Sequence, residues 1–315
     1  MNADEPLVRS CLQSYLELYW LRPETALWRT LDALVLKELD PGPIELDLGC
    51  GDGFNSYLLS GGVLPFECDD FVDVASISPE QFFRGASDMY DAPPAAVRAV
   101  PAPPAVRIRY GLDRKAGLLR KAQSLGLYDA LVQADANEPL PFADRSVGSV
   151  FSNILYWVDR LEVVLAETAR VLRDGGRATV LVPDEELKAH YIHHQYVVGR
   201  GWEWMALLDM GRHTHIRDQY TRSEWERRFA AAGLRVRDHR SYLPGRFIEI
   251  QEVGLRPLSP VLVDMANRLA PLDRVEIKQR WVEYCLALAM PMLTSGWLEE
   301  APAQHTFHAY VLERA

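Results

Sequence analysis

The sequence predicts an α/β fold, a doubly wound and mostly parallel sheet with helices on both faces, on three observations. Apolar runs alternate with helix-period segments from residue 106 to residue 183. Upstream, IELDLGCGDG stops in glycines, as a buried parallel strand does where it turns into a helix. The 315 residues, 48% hydrophobic and 25% charged, can bury one large core or two modest ones without disulfides or a metal.

In chain order, residues 7–40 hold two helical segments, VRSCLQSYLELYW and PETALWRTLDALVLKEL, the second opening on a proline suited to a helix start. Leu27, Leu31, Leu34 and Leu39 recur near the helical period, so one face should pack on something. Pro41-Gly42-Pro43 ends this region. Residues 60–105 have no clear period and include the proline-rich DAPPAAVRAVPAPP, which reads as an insertion or cover. VRIRYGLD then reads as a strand, RKAGLLRKAQSLG as a helix, and DALVQAD and SVGSVFSNIL as strands. LEVVLAETARVLR follows as a helix and RATVLVPD as a strand. Residues 184–221 are rich in His, Trp, Tyr and Arg. SEWERRFAAAG reads as a helix feeding the strand LRVRDHRSYL, residues 244–303 are mainly helical, and HTFHAYVLER closes the chain as an edge strand.

With 34 basic and 44 acidic residues, the net charge of −10 argues against general nucleic-acid binding. Cys11, Cys50, Cys68 and Cys285 lack CxxC spacing and read as reduced thiols of a cytoplasmic protein. MNADEPLVRS has no basic or apolar stretch of a signal peptide. The uncharged stretch Tyr284 to Leu298, 15 residues with Pro291 and Gly296, is shorter than the ~20 of a membrane span and reads as a buried helix and its end. No membrane partner is expected.

The strongest motif is Asp47-Leu48-Gly49-Cys50-Gly51-Asp52-Gly53 directly after the first strand. Glycines permit positive φ and let a ligand approach bare backbone. A dinucleotide fingerprint is G-x-G-x-x-G, whereas the spacing here is G-x-G-x-G, which disfavours a nicotinamide oxidoreductase. Asp47 puts a carboxylate beside that ligand, which suits an ammonium group.

In these residues the sequence resembles the class I S-adenosylmethionine-dependent methyltransferases that act on small molecules. ELDLGCGDG is similar to their first motif and YGLDRKAGLLRKA to their second strand. QADANEPLPFADRSVGSVFSN is similar to their third strand, adenine loop and fourth strand. ETARVLRDGGRATVLV is similar to their next helix, turn and fifth strand. The resemblance covers 44–59 and 106–183, and more weakly 222–243 and 304–315. It implies a seven-stranded Rossmann-like core and S-adenosylmethionine as cofactor. By this resemblance Gly49, Gly51 and Gly53, with the small Cys50 between them, shape the loop under the methionine part, and Asp47 lies near its amino group. Asp113 accepts the ribose hydroxyls, Arg114 packs on the adenine, Asp135 accepts from its exocyclic amine, and the Ala136 amide faces a ring nitrogen. Asn153 sits beside the transferring methyl. Two departures stand out. Asp113 comes 60 residues after Gly53, while Asp73 comes 20 after it and is the rival; Asp113 is preferred because it reaches Asp135 through one helix and one strand. Val147-Gly148 and Tyr156-Trp157 replace the family's usual Phe-Asp and His around the fourth strand.

The organisation this implies is N-terminal helices contributing to a cap (1–43), a cofactor-binding core (44–183) with the insertion at 60–105, a cap insertion (184–221), and the rest of the core (222–315) with a helical insertion at 244–303. Residues 188–246 carry six of the eight histidines and a net charge of +5. That asymmetry suggests an anionic acceptor bearing a phosphate or carboxylate, with Arg200, Arg212 and Arg217 as clamps and Tyr156 at the pocket. His193, His194, His213 and His215 are candidate general bases. Tyr191, Tyr196, Trp202 and Trp204 are either an aromatic wall for the acceptor or the core of a helical cap. His190 and His194 have a metal-ligand spacing, but HYIHH lacks the glutamate of HExxH and a third ligand, so no metal is expected. The expected function is methyl transfer to a small molecule, oxygen favoured over nitrogen or carbon, by a monomer or homodimer. The alternative is a non-catalytic S-adenosylmethionine-binding subunit.

Overall fold

The computed structural model describes residues 4–72, 104, 106–296 and 304–315. The chain begins with α1 (Glu5–Leu18) and α2 (Pro23–Leu39), then β1 (Leu46–Leu48), the glycine loop and α3 (Phe54–Leu59). After the insertion come β2 (Ile108–Asp113), α4 (Ala116–Ser124), β3 (Tyr128–Gln133), β4 (Val147–Ser152), α5 (Leu161–Val171) and β5 (Leu172–Pro183). Short turns of helix occupy 185–215, including α6 (Ala206–Asp209) and α7 (Arg212–His215). The chain ends with α8 (Arg222–Ala231), β6 (Leu234–Pro244), α9 (Gly245–Glu249), α10 (Ser259–Asn267), α11 (Pro271–Thr294) and β7 (His305–Arg314).

Seven strands form one sheet in the order β3-β2-β1-β4-β5-β7-β6. β1 to β5 are parallel neighbours, and β7 runs antiparallel to both β5 and β6. The C-terminal strand is therefore interior, not the edge expected. Phe307, Ala309, Tyr310, Val311 and Leu312 are all buried, the near-continuous apolar run of a strand covered on both faces. β6 takes the edge instead, where exposed Arg235 and Arg240 keep it from pairing further.

Two further expectations change. The turn foreseen in Arg173–Gly176 lies inside β5, as an irregularity between the pairs Val147↔Leu172 and Ser149↔Arg177, with Gly175 at φ 72°. The uncharged stretch from Tyr284 is not wholly buried: in α11, Leu286, Ala289 and Met290 face the core while Tyr284 and Leu288 are exposed. The uncharged run here is the end of a surface helix whose outer face is apolar as well as its inner one.

The N-terminal helices lie against the body. Leu27, Leu31, Leu34 and Leu39 of α2 are buried, and Trp28 packs edge-on against Phe307 of β7 and Phe247 of α9. The nearly fully buried Asp32 is satisfied by Arg29 at 2.8 Å and by the Tyr242 hydroxyl at 2.7 Å. On the other side, residues 66–70 are tied down by α4 and α11. Lys121 pairs with Asp70 and Arg274 with Asp69, both at 2.8 Å, while Lys278 donates to the carbonyls of Phe66 and Cys68. Residues 73–103 and 105 of the expected insertion, including the rival Asp73, lie outside the described residues.

Candidate functional site

β1 sits between β2 and β4, so the connections leave it on opposite sides and open a crevice at the C-terminal strand ends. The glycine loop lines that crevice. Gly49 and Gly51 take φ 83° and 57°, a region closed to most side chains. A Cβ on Gly49 would come within 2.5 Å of the Ile154 side chain, so the loop fits only without one. At Gly51 a Cβ would meet nothing within 4 Å, so this glycine faces open space where a ligand can reach the backbone.

Asp113 closes the crevice from the end of β2. One carboxylate oxygen accepts the Gly51 amide at 3.0 Å and the other the Lys115 amide at 2.8 Å. Each oxygen keeps a second acceptor position, so the group can also take two hydroxyls of a vicinal diol. Asp47 is placed differently from a ligand-facing acid. It is buried under the loop and accepts from the Tyr128 hydroxyl at 2.7 Å. Burial pushes its carboxyl up to about 6, against the hydrogen bonds from Ser56 and Tyr128. Cys50 is buried and its thiol is pushed well up by burial, then by Asp47, so it is no nucleophile.

The neighbouring strand ends supply the rest. Past β3, Asp135 accepts from both the backbone and side-chain nitrogens of Asn137 through one oxygen, and Asn137 in turn accepts the amides of Asp159 and Arg160 before α5. Ala136 is buried between them. Arg114 is exposed, and its carbonyl accepts from Gln133 at 3.2 Å. Past β4, the Ser152 hydroxyl donates to the Leu48 carbonyl at 3.0 Å and sets the half-buried Asn153 and Ile154 against the glycine loop. From the N-terminal helices, the Tyr15 hydroxyl donates to Asn55 at 3.0 Å.

Beside this crevice lies a cleft of about 290 Å³ lined by Lys188, Tyr191, His193, His194, His213 and Arg217 among others. The Arg217 amide donates to the Tyr156 carbonyl at 3.1 Å, which fastens the cleft to the segment following β4. Three of the four candidate bases thus share one cavity, while His215 packs against Gly211 outside its lining. His213 Nδ1 is 2.6 Å from Oδ2 of Asp209, a residue that is fully buried, and the His213 and His193 rings stack at 3.7 Å. His190 instead faces Glu249 at 3.1 Å, and among the described residues no group of His, Cys, Asp and Glu could hold a metal.

The arginines separate in the same way. Arg217 pairs with Asp159 at the surface, and Arg200 lies over the rings of Tyr196 and Trp202. Trp202 and Trp204 are exposed, so of the four cap aromatics only Tyr191 is core. Arg212 is mostly buried, over the Trp28 ring, with Nε 3.5 Å from Glu252 and without a hydrogen-bond partner among the described residues. Tyr156 is buried; burial pushes its hydroxyl up and Arg29 opposes this. Sequence reasoning missed Tyr128, Asp209 and Arg29. Asp209 stands four residues before His213, but the two lie on separate helices, α6 and α7, so helical spacing does not pair them.

The strand order and the glycine loop at its switch point define a class I S-adenosylmethionine-dependent methyltransferase fold. Residues 99–180 match the family described as the methyltransferase domain, and the cofactor is S-adenosylmethionine. One stretch of 48 residues is 52% identical to the malonyl-[acyl-carrier protein] O-methyltransferase of Methylococcus capsulatus, covering 15% of this chain and 17% of that protein. A stretch of 66 residues is 42% identical to the enzyme of the same name from Hamiltonella defensa, covering 21% and 25%. Among solved structures, the geranyl diphosphate C-methyltransferase of Streptomyces coelicolor is similar over 93% of this chain and 84% of its own, at 13% identity and a TM-score of 0.43. Among the described residues, no helix is long and apolar enough to cross a membrane.

The crevice fits this cofactor on its own geometry. The open face at Gly51 admits a ligand to the backbone, and the unused acceptor positions of Asp113 match a ribose diol.

Proposed function

We propose that this protein transfers a methyl group from S-adenosylmethionine to a small-molecule acceptor, with oxygen favoured as the nucleophile. The observation that supports this most is the histidine-lined cleft, fastened through the Arg217 amide and the Tyr156 carbonyl to the segment that follows β4. Gly49, Gly51 and Gly53 would hold the methionine part and Asp113 the ribose. Arg114, Asp135 and Ala136 would hold the adenine, and Asn153 would face the methyl. When bound, the cofactor supplies an electrophilic methyl on a sulfonium sulfur, whose transfer forms a bond from the acceptor's lone pair as the carbon–sulfur bond breaks toward sulfur.

What the chain adds is alignment, exclusion of water and, for a hydroxyl acceptor, removal of its proton. Candidates for the last are His193, His194 and His213. The net +5 of residues 188–246 supports an acceptor that also bears a phosphate or carboxylate. Of the three candidate clamps Arg217 lines the cleft, although it also pairs with Asp159; Arg212 is buried beside Glu252, and Arg200 lies over the rings of Tyr196 and Trp202. The four free thiols suit a reducing, cytoplasmic setting.

A second reading comes from the matched relatives: a malonyl group on an acyl-carrier protein, methylated on oxygen. One experiment separates the readings. The chain is incubated with S-adenosylmethionine tritiated in the methyl group, with either a small-metabolite extract or malonyl-acyl-carrier protein. Label in a small molecule supports the first, label on the carrier protein the second. Binding of S-adenosylhomocysteine without transfer to either refutes catalysis and leaves a non-catalytic subunit.

A further inference from the structure

We infer that His213 takes the proton of a hydroxyl acceptor and that Asp209 is the residue that positions it, an inference that rests on methyl transfer in this cleft. The local backbone builds the pair. α6 ends at Asp209, Met210 and Gly211 both take left-handed conformations at φ 53° and 72°, and α7 begins at Arg212. That reversal folds the Asp209 carboxylate inward, under the helix that carries His213. There it is fully buried and accepts the amides of His193 and His213, each at 3.4 Å, besides His213 Nδ1 at 2.6 Å. Arg256, itself bonded to the buried Glu252, donates to the Asp209 carbonyl at 2.7 Å and fixes the turn from below.

A carboxylate only accepts, so the neutral His213 ring carries its proton on Nδ1 and leaves the Nε2 lone pair free. The ring is about one-third exposed and lines the cleft. Its plane is held by the parallel His193 ring, only 7° away in tilt. No carboxylate holds His194 or His215 among the described residues, so neither has this fixed tautomer. In the step assigned to the pair, the acceptor's O–H bond breaks, its electrons stay on oxygen, and the proton bonds to Nε2. The resulting imidazolium is balanced by Asp209 and later releases the proton to water. A carboxylate acceptor arrives ionised and would leave the pair idle. The nucleophile assigned to this site is therefore a hydroxyl, even where the acceptor also carries an anionic group.

The test uses the full chain with ¹⁵N-labelled histidine, loaded with S-adenosylhomocysteine, and long-range ¹H–¹⁵N spectra that show which ring nitrogen is protonated. The expected result is Nδ1–H with bare Nε2 on His213, and a shift of the proton toward Nε2 in Asp209→Asn. A proton on Nε2 in the unsubstituted chain, or a spectrum indifferent to Asp209→Asn, overturns the inference. In turnover with 4-hydroxybenzoate, His213→Gln and Asp209→Asn should each lose at least about 100-fold in kcat while the affinity for S-adenosylhomocysteine stays unchanged. Methylation of benzoate on its carboxylate, as fast as ether formation on 4-hydroxybenzoate, overturns it; if neither probe reacts, the tautomer decides. Failure to bind S-adenosylhomocysteine would sink the wider reading and leave the tautomer result standing.

Discussion

Replacing Gly49 by alanine tests the packing of the glycine loop, to which cofactor binding is assigned in the proposed function. The new methyl carbon would lie 2.5, 2.6 and 2.7 Å from three side-chain carbons of Ile154, where ordinary contact is about 3.5–4.0 Å. Ile154 cannot swing aside cheaply, because its side chain is β-branched and its carbonyl is bonded to the Trp157 amide at 2.8 Å. Overpacking of this kind costs about 1–3 kcal/mol, and holding alanine at φ 83° costs about 1–2 kcal/mol more. Gly49→Ala should therefore lose about 2–5 kcal/mol of stability, a fall in Tm on the order of 4–20 °C. Urea titration of Gly49→Ala, Ile154→Ala and the double variant closes a cycle. Trimming Ile154 should return about 1–3 kcal/mol, leaving only the backbone strain. A loss below about 0.5 kcal/mol, or strictly additive substitutions, would refute the packing of β4 on the loop.

Acid sensitivity should depend on His239, whose imidazole is pushed down to about 4 by burial and then by His308. Between the ordinary 6.5 and this value the unfolded chain binds more protons, so its contribution is present above 6.5 and lost as pH falls toward 4. His239→Gln should flatten that limb in urea titrations at pH 4.5, 5.5 and 7, and an unchanged slope would contradict it. Arg274→Met leaves Asp69 buried without its 2.8 Å partner and should destabilise by about 3–5 kcal/mol, largely recovered by adding Asp69→Asn. If the second substitution worsens the loss, that pair does not tie residues 66–70 to α11.

The legible parts of the fold were those written in local periodicity. The alternation over 106–183 marks β2 to β5 and their helices, and IELDLG marks β1. Two errors had physical causes. β7 reads as an edge because it closes the chain, although its near-continuous apolar run, broken only by His308, is the mark of an interior strand. The glycines of Arg173–Gly176 suggest a turn, whereas the segment lies within β5 as an irregularity, after which pairing with β4 and β7 runs from Arg177. In the site, residues close in sequence were easier to name than their partners. Asp47 was singled out for its motif, while Tyr128, 81 positions away, decides that its carboxyl faces inward. Asp32 and Tyr242 meet across 210 positions, and no pattern in either segment announces it. Asp209 and His213 are only four residues apart, yet they meet through the left-handed turn at Met210 and Gly211 between α6 and α7, which helical spacing does not foresee.

Isothermal titration with S-adenosylhomocysteine, on the unsubstituted chain and on Asp113→Ala, tests the cofactor crevice most directly. Asp113 is expected to accept two hydroxyls in charge-assisted bonds of about 1.5–3 kcal/mol each. The unsubstituted chain should bind one equivalent, and Asp113→Ala should weaken binding at least about 100-fold, with no binding of NAD to either. Undiminished affinity in Asp113→Ala, or binding of NAD in place of S-adenosylhomocysteine, would contradict it.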